Sequence, residues 1–241
     1  GLQFRLPNLK ENIGFNIYVD GVYEKEYIEF IISKLPEGGV LLDLGANIGS
    51  ICIPIARLRP DVTIVAVEAS PRVFSYLEHN VQLNNCSNII IENYALSDKD
   101  NERVAFYSPE DKFGKGSMSA VFTSSEEYIN TLMVDSLVEK HNLGKVHVIK
   151  IDVEGYESIV FKGAPGLLNR SDAPGVLFEF APWAEDLARG SSAGSSQRIL
   201  KEAGYQLFNV TDPANPVREP SILTTGGAML WAEKNAAKAA D

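Results

Sequence analysis

The stretch Val40-Leu41-Leu42-Asp43-Leu44-Gly45-Ala46-Asn47-Ile48-Gly49-Ser50-Ile51 constrains this chain more than any other. It opens as a short apolar run, too brief for a helix and followed by a glycine turn, so it reads as a strand. After Gly45 to Gly49 it becomes helical through Ile51, Ile53, Ile55, Ala56 and Leu58. Strand, glycine turn and helix in that order bring backbone N–H groups and a helix N-terminus up to a ligand. Glycines permit the close backbone approach this requires. The product is a nucleotide-type crevice at the carboxyl end of a first parallel strand.

The spacing narrows the ligand. A dinucleotide fingerprint reads G-x-G-x-x-G, whereas this turn reads Asp-x-Gly-x-Asn-x-Gly, with Asn47 where the second glycine belongs. Asp43 stands just before the turn, where its carboxylate would repel a pyrophosphate but suit an ammonium or sulfonium group. S-adenosylmethionine carries both and has no phosphate. About 25 residues on, the run from Thr63 to Glu68 forms a second strand ending in an acid, placed to accept hydrogen bonds from both ribose hydroxyls.

A length of 241 residues with 45% apolar side chains suits one globular domain over 1–241. The formal charge of −10 argues against a nucleic-acid partner. Cys52 and Cys86 show no metal spacing and read as buried thiols of a reducing, cytoplasmic compartment. No apolar run reaches membrane length and no signal-peptide pattern opens the chain, although a start at Gly1 leaves room for a targeting segment ahead of it.

Residues 1–36 form a leading segment in which Phe15, Ile17 and Val19 alternate as in a strand, before a helix over Glu26 to Leu35. Ser70-Pro71 opens a helix as N-cap and first-turn proline, with Val73, Phe74, Leu77, Val81 and Leu83 on its buried side. A third strand covers Asn88 to Glu92, and a short one Val104 to Tyr107. The irregular stretch 99–131, rich in Gly and Ser near Gly114 to Ser119, reads as a substrate loop. Order returns with a helix over Asp135 to His141 and a near-continuously apolar strand over Val146 to Asp152, of central parallel type. A helix through Ile159, a strand over Gly175 to Phe180 and a helix through Leu200 follow. Tyr205 to Val210 and Ala228 to Ala232 are expected as an antiparallel pair, and Lys234 to Asp241 as a polar tail. Alternating strands and helices imply a doubly wound α/β sheet with right-handed crossovers.

On the stretches LLDLGANIG, VEASP, ALSD, TLMVDSL, VIKIDVEGYE and VLFEF, spanning roughly residues 20 to 185, the chain resembles the FkbM family of class I methyltransferases. The resemblance implies a mostly parallel, seven-stranded Rossmann-like methyltransferase sheet with helices on both faces. It also implies O-methylation of a small molecule, sugar or polyketide-type natural product, with S-adenosyl-L-methionine as cofactor. Carried over by position, Asp43, Gly45, Asn47 and Gly49 would hold the methionine part, and Glu68 and its neighbour Ala69 the ribose side. Ala95, Leu96 and Ser97 would flank the adenine, and Glu24 would close the methionine end. Ser117 and Ser119 match a loosely patterned serine loop.

Transfer to a hydroxyl needs a group that removes its proton, held near the methyl donor. Strand alternation puts Lys150, Asp152 and Glu154 on one side, with the two acids at the productive carboxyl end. Asp152 and Glu154 are therefore the candidates for base and substrate orientation. His79, His141 and His147 lie off that end and read as structural. Asp152 and Glu179 could also share a divalent ion such as Mg2+, since hard cations prefer carboxylates. Two other readings stand beside these: an NAD-type oxidoreductase, disfavoured by the altered glycine pattern, and a non-catalytic S-adenosylmethionine-binding module. An RNA methyltransferase is disfavoured by the acidic charge.

Overall fold

The computed structural model describes residues 1–120 and 123–234. The expected polar tail lies outside them beyond Lys234, as do two positions of the 99–131 stretch.

The leading segment holds two helices, α1 (Asn12–Asp20) and α2 (Lys25–Lys34). The core then alternates β1 (Val40–Leu44), α3 (Cys52–Leu58), β2 (Thr63–Val67), α4 (Pro71–Leu83) and β3 (Ile89–Glu92). An excursion follows, of β4 (Ala95–Leu96), β5 (Arg103–Tyr107) and β6 (Glu126–Leu132). The core resumes with α5 (Val134–Lys140), β7 (Val148–Ile151), α6 (Glu157–Lys162), α7 (Pro165–Leu168), β8 (Gly175–Phe180), α8 (Pro182–Leu187) and α9 (Ser195–Glu202). It closes with β9 (Gln206–Asn209), β10 (Val217–Glu219) and β11 (Ala228–Glu233).

The main sheet has eight strands in the order β10-β9-β11-β8-β7-β1-β2-β3. The five strands from β8 to β3 run parallel, and β9, β10 and β11 add antiparallel ladders at one side. The expected pairing of the last strands is present, with Leu230 opposite Asn209. The expected count of seven is exceeded by β10, a three-residue edge strand too polar and short to stand out in the sequence. The stretch 99–131 is not a plain loop, because β5 and β6 pair there in a separate three-stranded sheet ordered β4-β6-β5.

Period-two alternation explains the layering. Leu41, Ile64 and Val148 sit in register and face α2, α3 and α4. Their neighbours Leu42, Val65 and Ile149 face α5, α6, α7 and α9. Ser70 caps α4 as its sequence suggests, its side chain accepting from the Val73 N–H. Leu83 is exposed rather than packed.

The segment around Phe15 is a helix, not a strand. Ile13 and Ile17, four residues apart, are buried against Ile48, Val73 and Phe113, while Phe15 and Val19 face solvent. That spacing belongs to one helix face. Ahead of α1 the chain is clipped to α4 by two asparagines. Asn84 exchanges hydrogen bonds with the Gln3 backbone, and Asn80 with that of Arg5. The Asn80 amide also donates to the Ile48 carbonyl at 3.0 Å. Asn80 is fully buried, so its removal leaves the Ile48 carbonyl buried without that donor. Asn80→Ala should lose about 2–3 kcal/mol in urea unfolding, and an unchanged midpoint would contradict this account. Cys52 and Cys86 are buried free thiols. Among the described residues no helix is long and apolar enough to cross a membrane.

Candidate active site

A cavity of about 850 Å³, open solvent space included, lies at the carboxyl ends of β1, β2 and β7. The turn after β1 forms one wall. Gly45 and Asn47 take positive φ values of 82° and 52°, and the Gly45 and Ala46 N–H groups both donate to the Val67 carbonyl at 2.9 Å. This ties the turn to the end of β2, where Glu68 begins. Glu68 accepts from the Asn47 N–H and from the Ser70 N–H, each at 2.9 Å. Burial pushes its carboxyl up to about 7, against the pull of those two donors.

Beside Glu68 the cavity is apolar, lined by Ala69, Ala95, Leu96, Phe106 and Met118. The far end is acidic, with Glu24, Asp152 and Glu154 on its wall and Lys150 between them. Glu24 enters from the N-cap of α2 at a left-handed φ of 49°. Burial raises its carboxyl, with Lys150 pulling the other way. Glu179, on β8, is raised by burial and by the Asp152 charge.

Asp43 is placed differently from expectation. Parallel register sets it beside Lys150, and it is fully buried beneath the cavity rather than on its wall. The Lys150 ammonium stands 3.6 Å from Asp43 Oδ1 and 3.9 Å from Asp152 Oδ2, and donates to the Gly45 carbonyl at 3.3 Å. Burial alone would lower Lys150; Asp43, then Asp152 and Glu24, more than offset it and keep the ammonium protonated. Asp43 thus sits under the cavity floor, facing the Lys150 ammonium of the neighbouring strand, and among the described residues neither of its oxygens has a hydrogen-bond donor. Gly49 also lies off the wall, and a Cβ there would crowd the Ile53 and Leu77 side chains at 2.6 and 3.0 Å. Ser97 is buried, and its backbone carbonyl packs against Gly163 outside the cavity. The structure therefore gathers Glu24, Gly45, Asn47, Glu68, Ala69, Ala95, Leu96, Asp152 and Glu154 on the cavity wall, and places Asp43, Gly49 and Ser97 off it.

The loop after β7 presents the two acids. Glu154 is left-handed at φ 53° and Gly155 at 97°. Inside the loop the Glu157 carboxylate accepts from the Val153 N–H at 3.0 Å and the Gly155 N–H at 3.4 Å. Burial pushes Glu157 up to about 8 from its ordinary 4.5. A raised carboxyl means that the folded protein holds a proton the unfolded chain has released. Its stabilising effect is complete below about 4.5 and is lost as pH rises through about 8; Glu68 and Glu154 act with the same sign. The midpoint of thermal unfolding should therefore fall as the pH rises through this window, and less steeply in Glu157→Gln. Equal slopes in the two proteins would refute that assignment.

Residues 108–119 close over the turn. The Asn47 side chain donates to the Phe113 carbonyl at 3.0 Å. The Arg72 guanidinium donates to Ser108 Oγ at 3.0 Å and to the Pro109 carbonyl at 2.7 Å. Ser117 pairs with Tyr107, and the Ser119 hydroxyl donates to the Leu187 carbonyl; neither serine is on the wall. Sequence reasoning missed Lys115 of this segment, which reaches across to Glu154 Oε1 at 2.8 Å. It also missed Tyr23, Tyr94 and Phe113, which line the cavity from elements far apart in the chain. The histidines are structural or peripheral: His147 Nδ1 accepts from the Val40 N–H, His141 pairs with Glu92, and His79 is exposed on α4.

S-adenosylmethionine fits this chemistry. Glu68 has its outer lone pairs free for a ribose diol, and the apolar slot beside it suits an adenine. Asp152 Oδ1 is buried with no donor among the described residues, so a cation or hydroxyl at the acidic end would answer it. Among the described residues no three His, Cys, Asp or Glu side chains converge as a metal site, so the suggested Asp152–Glu179 ion gains no support from the geometry.

The sequence model of the Methyltransferase FkbM domain matches residues 43–207. Methyltransferase 1 of Beauveria bassiana is 27% identical over 174 residues, 64% of this chain and 66% of that protein. Hexuronic acid methyltransferase AglP of Haloferax volcanii is 31% identical over 146 residues, 60% of this chain and 58% of that protein. The match thus spans less than two thirds of the length of either curated relative. Among solved structures, a TehB-like SAM-dependent methyltransferase from Corynebacterium glutamicum superposes with a TM-score of 0.50 at 12% identity, covering 92% of this chain and 94% of that one. A Streptococcus mutans protein solved in complex with SAH gives 0.51 at 8% identity, covering 88% and 97%. These two share the fold.

Proposed function

The chain belongs to the FkbM methyltransferase family, and from that premise we propose that it transfers a methyl group from S-adenosylmethionine to a hydroxyl of a small-molecule or sugar acceptor. One observation carries the reading. One cavity is lined by Glu68, by the apolar Ala69, Ala95 and Leu96, and by the acids Glu24, Asp152 and Glu154; in this reading Glu68 takes the ribose diol and Glu154 the proton.

When bound, S-adenosylmethionine supplies an electrophilic methyl group on a sulfonium. Glu68 holds the ribose, with its carboxylate oriented by the Asn47 and Ser70 N–H groups. Asp152 and Glu24 present negative charge toward the cationic end, an arrangement that favours a sulfonium and an ammonium over a phosphate. Glu154 takes the acceptor's proton on Oε2, because Oε1 is engaged by Lys115. Burial and the neighbouring Asp152 charge push Glu154 up to about 7, which suits a general base near neutral pH. The 108–119 segment and the bulk of Phe113 shield the site from water. A sugar acceptor is favoured by the relative whose name specifies hexuronic acid, and the wall rich in carboxylates, which accept hydrogen bonds from hydroxyls, favours a neutral sugar over a uronate.

Thermal unfolding with S-adenosylmethionine, S-adenosylhomocysteine and NAD in parallel tests the cofactor. Ligand at about a hundred times its Kd should add about 2.7 kcal/mol. Stabilisation by the first two and not by NAD is the expected result; stabilisation by NAD alone would overturn the reading.

A further inference from the structure

Lys115 is carried by a glycine-rich segment with no regular structure of its own, yet its ammonium has a defined place. Two residues before it, Phe113 is buried against Ile13, Ile17, Ile48 and Val73, and its carbonyl is held by Asn47. The Lys115 N–H donates to the Lys112 carbonyl at 2.9 Å, closing a turn. From there the side chain reaches Glu154 Oε1 at 2.8 Å, across the acidic end of the cavity.

We propose that Lys115 is a positioning residue for proton transfer: it holds Glu154 as an ionised carboxylate with one oxygen engaged and the other free for the acceptor hydroxyl. This inference rests on the methyl-transfer reading given above.

Three charged groups face Glu154: Asp152 at the end of β7, Glu179 on β8, and Lys115 from the 108–119 segment. Two are negative. A poorly solvated carboxyl beside two carboxylates takes up a proton rather than add a third negative charge. A protonated Glu154 cannot accept the acceptor's proton, so without an opposing cation the competent fraction at neutral pH would fall. Lys150, the other nearby ammonium, stands between Asp43 and Asp152, 3.6 and 3.9 Å from their oxygens, and makes no ion pair with Glu154. Lys115 is the cation that reaches Glu154 directly, and it opposes both burial and Asp152. The bond also selects an orientation. With Oε1 tethered, Oε2 has a fixed direction, which is what proton transfer at hydrogen-bond distance requires.

The test is a pH titration of the Glu154 side-chain carboxyl carbon by NMR in the full chain, with Glu154→Gln identifying the resonance. The wild-type midpoint is expected near 7. Lys115→Met keeps the aliphatic stem and its shielding but removes the charge, and should raise the proton affinity of Glu154 about tenfold. Lys115→Gln provides a second neutral variant, and Lys115→Arg should restore the wild-type midpoint. An unmoved midpoint in both neutral variants overturns the proposal, as does an arginine variant that titrates like the methionine one. Stabilisation by S-adenosylhomocysteine is read on the same samples. Its absence from the wild-type chain would sink the methyl-transfer reading while leaving the titration result intact. Once an acceptor is in hand, the kcat–pH profile of Lys115→Met should move to higher pH, with KM for S-adenosylmethionine unchanged.

Discussion

Glu154→Gln is expected to slow methyl transfer by about 10²–10⁴-fold, the usual contribution of a positioned general base, while stabilisation by S-adenosylmethionine survives. The amide keeps the size of the side chain but cannot take a proton. Release of S-adenosylhomocysteine in the presence of methyl hexosides and hexuronic acids measures the loss. Asp152→Asn provides the contrast. Asp152 stands 3.9 Å from the Lys150 ammonium and carries the unanswered buried oxygen Oδ1, so its neutral variant should also weaken binding of the cationic cofactor relative to S-adenosylhomocysteine. Full turnover by Glu154→Gln would move the base role to Asp152.

Gly45→Ala should cost about 3 kcal/mol or more, in the range reserved for backbone strain and overpacking at a fixed site. A Cβ at Gly45 would lie 1.9 Å from the Asp152 carbonyl oxygen and 2.9 Å from its carbon. Neither side can yield cheaply. The Asp152 N–H donates to the Leu44 carbonyl, and the Gly45 N–H to that of Val67, both at 2.9 Å. The φ of 82° adds a penalty that any L side chain would feel. Gly144, where a Cβ would meet nothing within 4 Å, is the control and should tolerate alanine within about 0.5 kcal/mol. Equal stability of Gly45→Ala and wild type in chemical denaturation would show that the β1 turn is far less tightly held than these distances require.

That glycine shows how motif reading and structure diverge. The sequence marks Gly45 as a place where a ligand comes close. The structure shows that the backbone after β7 also comes close, so chain packing demands a glycine there as well. Asp43 teaches the same lesson more sharply. Its place at a strand end suited a ligand's positive charge, and parallel register sets it beside a positive charge of the chain itself, Lys150, 107 residues away in sequence.

Local pattern was sufficient where the physics is local. The alternation of Leu41 and Leu42, of Ile64 and Val65, and of Val148 and Ile149 gives each strand two buried faces, hence a doubly wound sheet. Ser70-Pro71 announced α4 because a cap is completed within one turn. The acids at strand ends, Glu68 and Asp152, were legible because a strand that feeds a crossover helix ends on the ligand side. The sequence by itself therefore determined the class of fold, the end of the sheet at which the cavity opens, and several of the side chains that line it. Only the tertiary structure decided the rest. Phe15, Ile17 and Val19 fit a strand's period as written, and the burial of Ile13 and Ile17 against Phe113 made them a helix. Lys115 lay in a stretch with no period at all, and the anchoring of Phe113 by Asn47 delivered it to Glu154. Periodicity states which face a residue takes on its own element; the partner of a buried charge depends on which distant elements become neighbours, and that is settled only when the chain packs.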